Sequence, residues 1–137
     1  MGARVVLDTN ILVSALGWRG APHEIVQSCL DHRHELLLSP DLLEEVERVL
    51  QYPKFRFSYA EIVDYLALLT ETAELVQPDF RLAVIEADPS DDRILECALA
   101  GRAEVIATGD DHILSLKQFE EIPILRAQEF LDRYRRN

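Results

Sequence analysis

Arg4-Val-Val-Leu-Asp-Thr-Asn10 is a short apolar run that ends abruptly in a carboxylate. A continuous apolar run bounded by turn formers reads as a strand buried on both faces, as inside a parallel sheet. The strand is expected over Arg4–Asp8, followed by a short helix, Ile11–Leu16, closed by Gly17. Pro22 can open the next helix, whose Ile25, Val26, Cys29 and Leu30 recur at helical spacing. Glu35–Ser39 reads as a second strand, and Ser39-Pro40 starts a helix to about Gln51, stopped by Pro53. Tyr59–Glu71 is a longer helix, Ala73–Val76 a short strand, and Asp91–Gly101 a helix with glycine at its end. Val105–Ala107, Asp111–Leu116, Ile124-Leu125 and Gln128–Arg135 follow as strand, short helix, last edge strand and closing helix. Strands separated by helices need crossover connections. The expected architecture is therefore one α/β domain over residues 1–137, a three-layer α/β/α sandwich around a mainly parallel sheet.

Parallel strands align their C-terminal ends along one edge, where ligands bind. Asp8 ends the first strand, and Glu45, Asp91 and Asp110 fall where later segments switch between strand and helix. Carboxylates converging there repel one another unless a cation sits among them. That pattern suits a Mg²⁺- or Mn²⁺-dependent phosphodiesterase.

Each acid also has a plainer use. Asp8 could cap the first helix, but Thr9 and Asn10 could cap it as well and leave Asp8 free. In Ser39–Leu50 the apolar stripe is Leu42, Leu43, Val46, Val49 and Leu50. Glu44 falls nearly opposite that stripe and Glu45 and Glu47 flank its two edges, so helical phase alone does not choose between those two. Asp88 precedes Pro89 and is held extended. Asp91 tops the face carrying Ile94, Leu95 and Ala98, with Asp92 rotated to the edge. After the strand Val105–Ala107, Gly109 permits a tight turn that aims Asp110 back across the sheet edge.

Composition narrows the class. A chain of 137 residues, 48% hydrophobic and 28% charged, can bury a core without disulfide or metal staples. No stretch approaches eighteen apolar residues, and the start runs straight into a strand, so neither a membrane span nor a signal peptide is expected. Cys29 and Cys97 sit among apolar helical neighbours and read as buried thiols of a cytoplasmic protein. The net charge of −11 disfavours long-range attraction of a polyanion, so a nucleic acid must meet a local basic patch. The same charge suits a basic protein partner.

Asp8-Thr-Asn10, Ser39-Pro-x-Leu-Leu-x-Glu45, Asp88-Pro-x-Asp91 with Leu95 and Ala98, and Thr108-Gly-Asp110 occur in one order across nearly the whole chain. Together they resemble the PIN-domain nucleases, and within these the small prokaryotic proteins regarded as toxins of toxin–antitoxin pairs. The resemblance implies that Glu45 is chosen over Glu44 and Glu47, Asp91 over Asp88 and Asp92, and Asp110 over Asp111. It implies that Asn10 supports the first aspartate and that Thr108 lines the pocket.

The resulting expectation is a metal-dependent ribonuclease, with Asp8, Glu45, Asp91 and Asp110 both holding Mg²⁺ or Mn²⁺ and serving catalysis. In-line attack on phosphorus would leave 5′-phosphate and 3′-hydroxyl ends. An RNA substrate, a basic antitoxin protein and a homodimer complete the expected partners. A metal-dependent phosphatase with Asp8 as nucleophile is the rival enzyme, although position 10 is Asn where a second aspartate is commonly needed. A non-catalytic RNA- or protein-binding module is the rival outside enzymes. Tyr52-Pro-Lys-Phe-Arg-Phe57 interleaves aromatic and basic residues, which suits stacking on RNA bases, with Lys54 and Arg56 as phosphate contacts; the plainer reading packs Phe55 and Phe57 inward. His32 and His34 are expected in a solvent-exposed loop, His112 on a first helical turn at the surface, and Arg133, Arg135 and Arg136 in a basic tail.

Overall fold

A computed structural model describes residues 2–135. The first strand, β1 (Arg4–Leu7), leads into α1 (Thr9–Gly17) and α2 (Ala21–Leu30); β2 (Glu35–Leu38) leads into α3 (Pro40–Leu50). A 3₁₀ turn, Pro53–Phe55, precedes α4 (Tyr59–Thr72) and β3 (Glu74–Leu75). A long irregular segment ends in a second 3₁₀ turn, Pro89–Asp91, then α5 (Asp92–Ala100) and β4 (Val105–Ala107). The chain closes with α6 (Asp111–Leu114), β5 (Gln118–Phe119), β6 (Ile122–Leu125) and α7 (Ala127–Arg133).

The sheet order is β3-β2-β1-β4-β6-β5. All pairings are parallel except β5 with β6. Strands β1, β2 and β4 are apolar and almost wholly buried, as sheet interiors covered on both faces must be. On one side α1 packs on α2 and α3, and α2 on α7; α5 lies against β1 and β2. The result is the expected three-layer α/β/α sandwich. No helix among the described residues is long and apolar enough to cross a membrane.

Expected and observed elements differ in three instructive places. Ile124-Leu125 is not an edge: β6 runs over Ile122–Leu125, and β5 folds back beside it as an antiparallel outer strand. Its turn uses Glu120 and Glu121 with φ of 50° and 69°, left-handed backbone without the glycine or asparagine that marks such turns in a sequence. His34 is not a solvated loop residue either. Its ring is buried edge-on against Phe130 and Tyr134, and its Nδ1 accepts a hydrogen bond from the Ala3 N–H at 3.0 Å. Cys29 and Cys97 are buried free thiols, as read from their neighbours, and burial pushes both up to about 12.

The third difference concerns α5. Asp92 is not rotated to an edge; it is 1% exposed and accepts the Val84 and Ile85 N–H groups, both at 3.0 Å. One turn later, Glu96, also 1% exposed, accepts the Leu82 N–H at 2.7 Å and pairs with Arg93 at 2.7 Å and Arg81 at 3.2 Å. These two buried acids fasten the irregular segment before Asp88 to α5, giving its backbone donors the partners that a sheet would otherwise supply. Asp92→Ala would leave two amide donors unpaired, at ~1–3 kcal/mol each. It should lower the denaturant midpoint markedly in an equilibrium unfolding measurement, whereas Asp64→Ala, on an exposed helix face, should leave it nearly unchanged.

Candidate active site

Strand register explains why acids meet at one edge. Leu7 lies opposite Ala107, so the next residues along the two parallel strands, Asp8 and Thr108, are neighbours. On the other side Val6 lies opposite Leu37, which brings Ser39, the N-cap of α3, to the same level. Helices α1 and α3 and the 109–110 turn therefore all depart from one row.

Asp8 is 7% exposed and has both oxygens engaged. Oδ1 accepts the Asn10 N–H at 3.4 Å, and Oδ2 accepts the Thr108 hydroxyl at 2.5 Å. Asp8 is thus itself the N-cap of α1, so the expectation that Thr9 and Asn10 would cap and leave it free is corrected. A cap needs one oxygen, and the other still faces the sheet edge. Burial raises the Asp8 pKa, as does the nearby Asp110 charge, while the bonds from Thr108 and Asn10 oppose the rise.

Thr108, fully buried, also accepts the Asp110 N–H at 3.0 Å. One hydroxyl therefore ties the first carboxylate to the backbone of the last. Asp110 caps α6, with Oδ1 accepting from His112 and Ile113 N–H at 2.8 and 3.2 Å.

Asp91 ends the 3₁₀ turn before α5, and its Oδ2 is buried without a hydrogen-bond partner. Its pKa is pushed up to about 7, chiefly by burial and then by the charges of Asp110, Asp88, Asp8 and Glu45. Glu45 is half-buried on α3, whereas Glu44 and Glu47 are exposed. Burial raises the Glu45 pKa and the Asp8 and Asp88 charges add to it. Opposing them are Arg48, 4.0 Å away, and the Thr9 hydroxyl, which lies close without completing a hydrogen bond.

Two acid-site neighbours stand outside the expected set. Asp88 joins the electrostatic cluster as a fifth carboxylate, its pKa lowered by bonds from the Ser90 hydroxyl and N–H. His112 offers a ring nitrogen that, with oxygens of Asp91 and Asp110, forms a trio whose ligand atoms all lie within 4.8 Å. Its i+2 spacing from Asp110 is the only signal the sequence carries for this. Asn10 supports Asp8 through its backbone N–H only; its exposed side chain lines a shallow cavity with Thr108, Gly109 and Arg126. Lys54 and Arg56 are exposed beyond the end of α3, and no hydrogen bond or ion pair among the described residues joins them to the acids. Arg133 is exposed and Arg135 pairs with Asp132, while Arg136 lies outside the described residues.

The cluster fits a hard divalent cation. Its donors are carboxylate oxygens with one imidazole, and an oxygen buried without a partner is what such an ion would satisfy. A pH dependence follows. Asp91 binds a proton more tightly folded than unfolded, so the stability this contributes is present near the ordinary carboxylate value and is lost as pH rises through about 7. In chelator, Asp91→Asn should be more stable than wild type at about pH 8, and the difference should shrink at about pH 5. Denaturant midpoints of both proteins at the two pH values check this; an equal difference at both would remove Asp91 from the cluster.

No curated protein matches the chain in sequence. Among solved structures, the fold is similar to that in the crystal structure of VapBC2 from Rickettsia felis bound to a DNA fragment from their promoter. That match has a TM-score of 0.60 and 14% identity, covering 88% of this chain and 96% of the other. It is also similar to the PIN domain endonuclease Utp24, with a TM-score of 0.53 and 18% identity, covering 88% of this chain and 82% of that one. The PIN-domain family model matches residues 4–112, from the first residue of β1 to the histidine beside Asp110, and the chain belongs to the PIN-domain family of nucleases.

Proposed function

We propose that this protein is a Mg²⁺- or Mn²⁺-dependent endoribonuclease acting in the cytoplasm, and the toxin of a toxin–antitoxin pair. The observation that carries the metal-dependent reading is the Asp91 oxygen, buried without a partner beside other carboxylates; its burial first, and then their charges, push its pKa up to about 7. Such an arrangement is unfavourable for the empty protein and becomes favourable once a divalent charge is shared.

Asp8, Glu45, Asp91 and Asp110 would hold the cation, and His112, whose ring nitrogen lies within 4.8 Å of oxygens of Asp91 and Asp110, would join them. A cation there supplies an acidified water and neutralises charge building on the phosphodiester. The chain supplies placement. Thr108 holds the Asp8 carboxylate by its hydroxyl and fixes the Asp110 backbone, so both acids keep one orientation. The α6 N–H groups hold Asp110 Oδ1, which sets the direction of its second oxygen. Arg48, beside Glu45, is placed to meet a phosphate on the outer side of the site. Asp8 as a phosphoryl-accepting nucleophile fits poorly, because position 10, where such enzymes commonly carry a second aspartate, is Asn. The toxin–antitoxin reading draws on the motif resemblance and the VapBC2 likeness, and the charge of −11 suits a basic antitoxin bound to a homodimer of this chain.

Purified protein should cleave single-stranded RNA with Mg²⁺ or Mn²⁺ and stop on chelation. Asp8→Asn and Asp91→Asn should abolish cleavage while retaining the native circular dichroism spectrum; substantial metal-dependent cleavage by either would sink the site. A gel assay should also separate the glutamates. Glu45→Ala should cost at least about tenfold, ~1.4 kcal/mol of barrier, while Glu47→Ala stays within a few-fold.

A further inference from the structure

An aromatic patch with an unusual charge environment stands at the far end of α1 and α3 from the sheet edge. Trp18, just after α1, is 55% exposed, and its ring meets Phe55 and Phe57 edge-on at 6.0 and 6.3 Å. Phe55 stacks between Tyr52 at 6.4 Å and Phe57 at 5.8 Å. The two phenylalanines are half-buried against the core, so they act as the footing. Trp18 and Tyr52 keep open faces. Arg56 has φ 58°, and this left-handed step ends the 3₁₀ turn and returns the chain so that Phe57 passes against Gly17.

The stretches that carry these rings have the opposite charge to the protein as a whole. In a chain at −11, residues 9–23 and 48–60 contain no acidic residue, and these two stretches form the patch. They carry Arg19, Arg48, Lys54 and Arg56. Arg19, Lys54 and Arg56 enter no ion pair among the described residues, and the Lys54 ammonium sits 5.2 Å from the Phe55 ring centre. The patch is also continuous with the acids. Arg48 lies 4.0 Å from Glu45 and donates to the Tyr52 hydroxyl at 2.8 Å, which pins the edge of the tyrosine ring and leaves its face open.

We propose that Trp18 and Tyr52, footed on Phe55 and flanked by Arg48, Lys54 and Arg56, form a stacking platform for the unpaired bases of a single-stranded nucleic acid. The strand would pass from the platform along Arg48 to the carboxylates, about two helical turns or ~10 Å away along α3. Charge selects the ligand class. A basic protein would be repelled by the patch, whereas a polyanion, repelled elsewhere on this surface, is accepted here. Exposed ring faces select the strand state, because a duplex hides its base faces. The inference names the substrate of the nuclease reading and in that respect rests on it, but its test does not require cleavage.

Trp18 is the only tryptophan, so its emission reports the platform directly. The full chain in chelator at low salt is titrated with an oligouridylate, an oligothymidylate and a duplex, with labelled-oligonucleotide anisotropy in parallel. Saturable quenching by either unpaired strand, and little by the duplex, supports the platform. Trp18→Ala and Tyr52→Ala should each weaken binding roughly tenfold, and Trp18→Phe should restore it. Lys54→Ala with Arg56→Ala should flatten the slope of log affinity against log salt by about 1.4. Absence of binding, binding without an emission change, or unchanged affinity in Trp18→Ala would overturn it. So would an emission change produced only by a protein partner. Quenching without metal-dependent cleavage keeps the platform and removes the nuclease assignment; cleavage without quenching removes the platform alone.

Discussion

Mutual repulsion among Asp8, Glu45, Asp88, Asp91 and Asp110 is the constraint around which this fold is arranged, since five carboxylates at one sheet edge would separate if the backbone allowed it. The backbone does not allow it. Parallel pairing of β1 with β4 fixes Asp8 beside Thr108, and the Thr108 hydroxyl ties that acid to the turn bearing Asp110. Packing of α1 on α3 brings Glu45 in from the side. The fasteners at Asp92 and Glu96 anchor the segment that delivers Asp88 and Asp91. Asp91 is the one member with a buried oxygen and nothing to bond.

Acids here do opposite work according to what surrounds them. Asp91 and Asp92 are adjacent, yet one is left without a partner and the other accepts two backbone amides. Each has a buried carboxylate oxygen; hydrogen-bond supply separates them. The overall charge of −11 is therefore not a uniform coat but includes buried fasteners and a repelling cluster, while residues 9–23 and 48–60 carry no acid.

The layered fold was legible because β1, β2 and β4 are unbroken apolar runs and the helices carry clear stripes. Covered parallel strands require the first, and amphipathic packing produces the second. The meeting of the acids at one edge followed from the same logic. Distances and partners did not. Phase along α5 put Asp92 at the edge because it carries no sign of the irregular segment before Asp88, whose Val84 and Ile85 N–H groups cover that face of the helix. His34 was misread because its partner, the Ala3 N–H, lies 31 residues away in the chain. The β5 hairpin was invisible because two glutamates, poor markers of left-handed backbone, make its turn. Helix phase also could not rank Glu45 against Glu47; packing on α1 half-buries only the former.

The ends of the sheet carry a consequence for assembly. At one side β5 is two residues long and antiparallel, and at the other β3 is two residues long with Glu74 engaged by Arg4. Such short borders offer little template for a strand from another chain. Copies of this molecule therefore find little edge for strand addition, which disfavours fibril-like growth through the sheet.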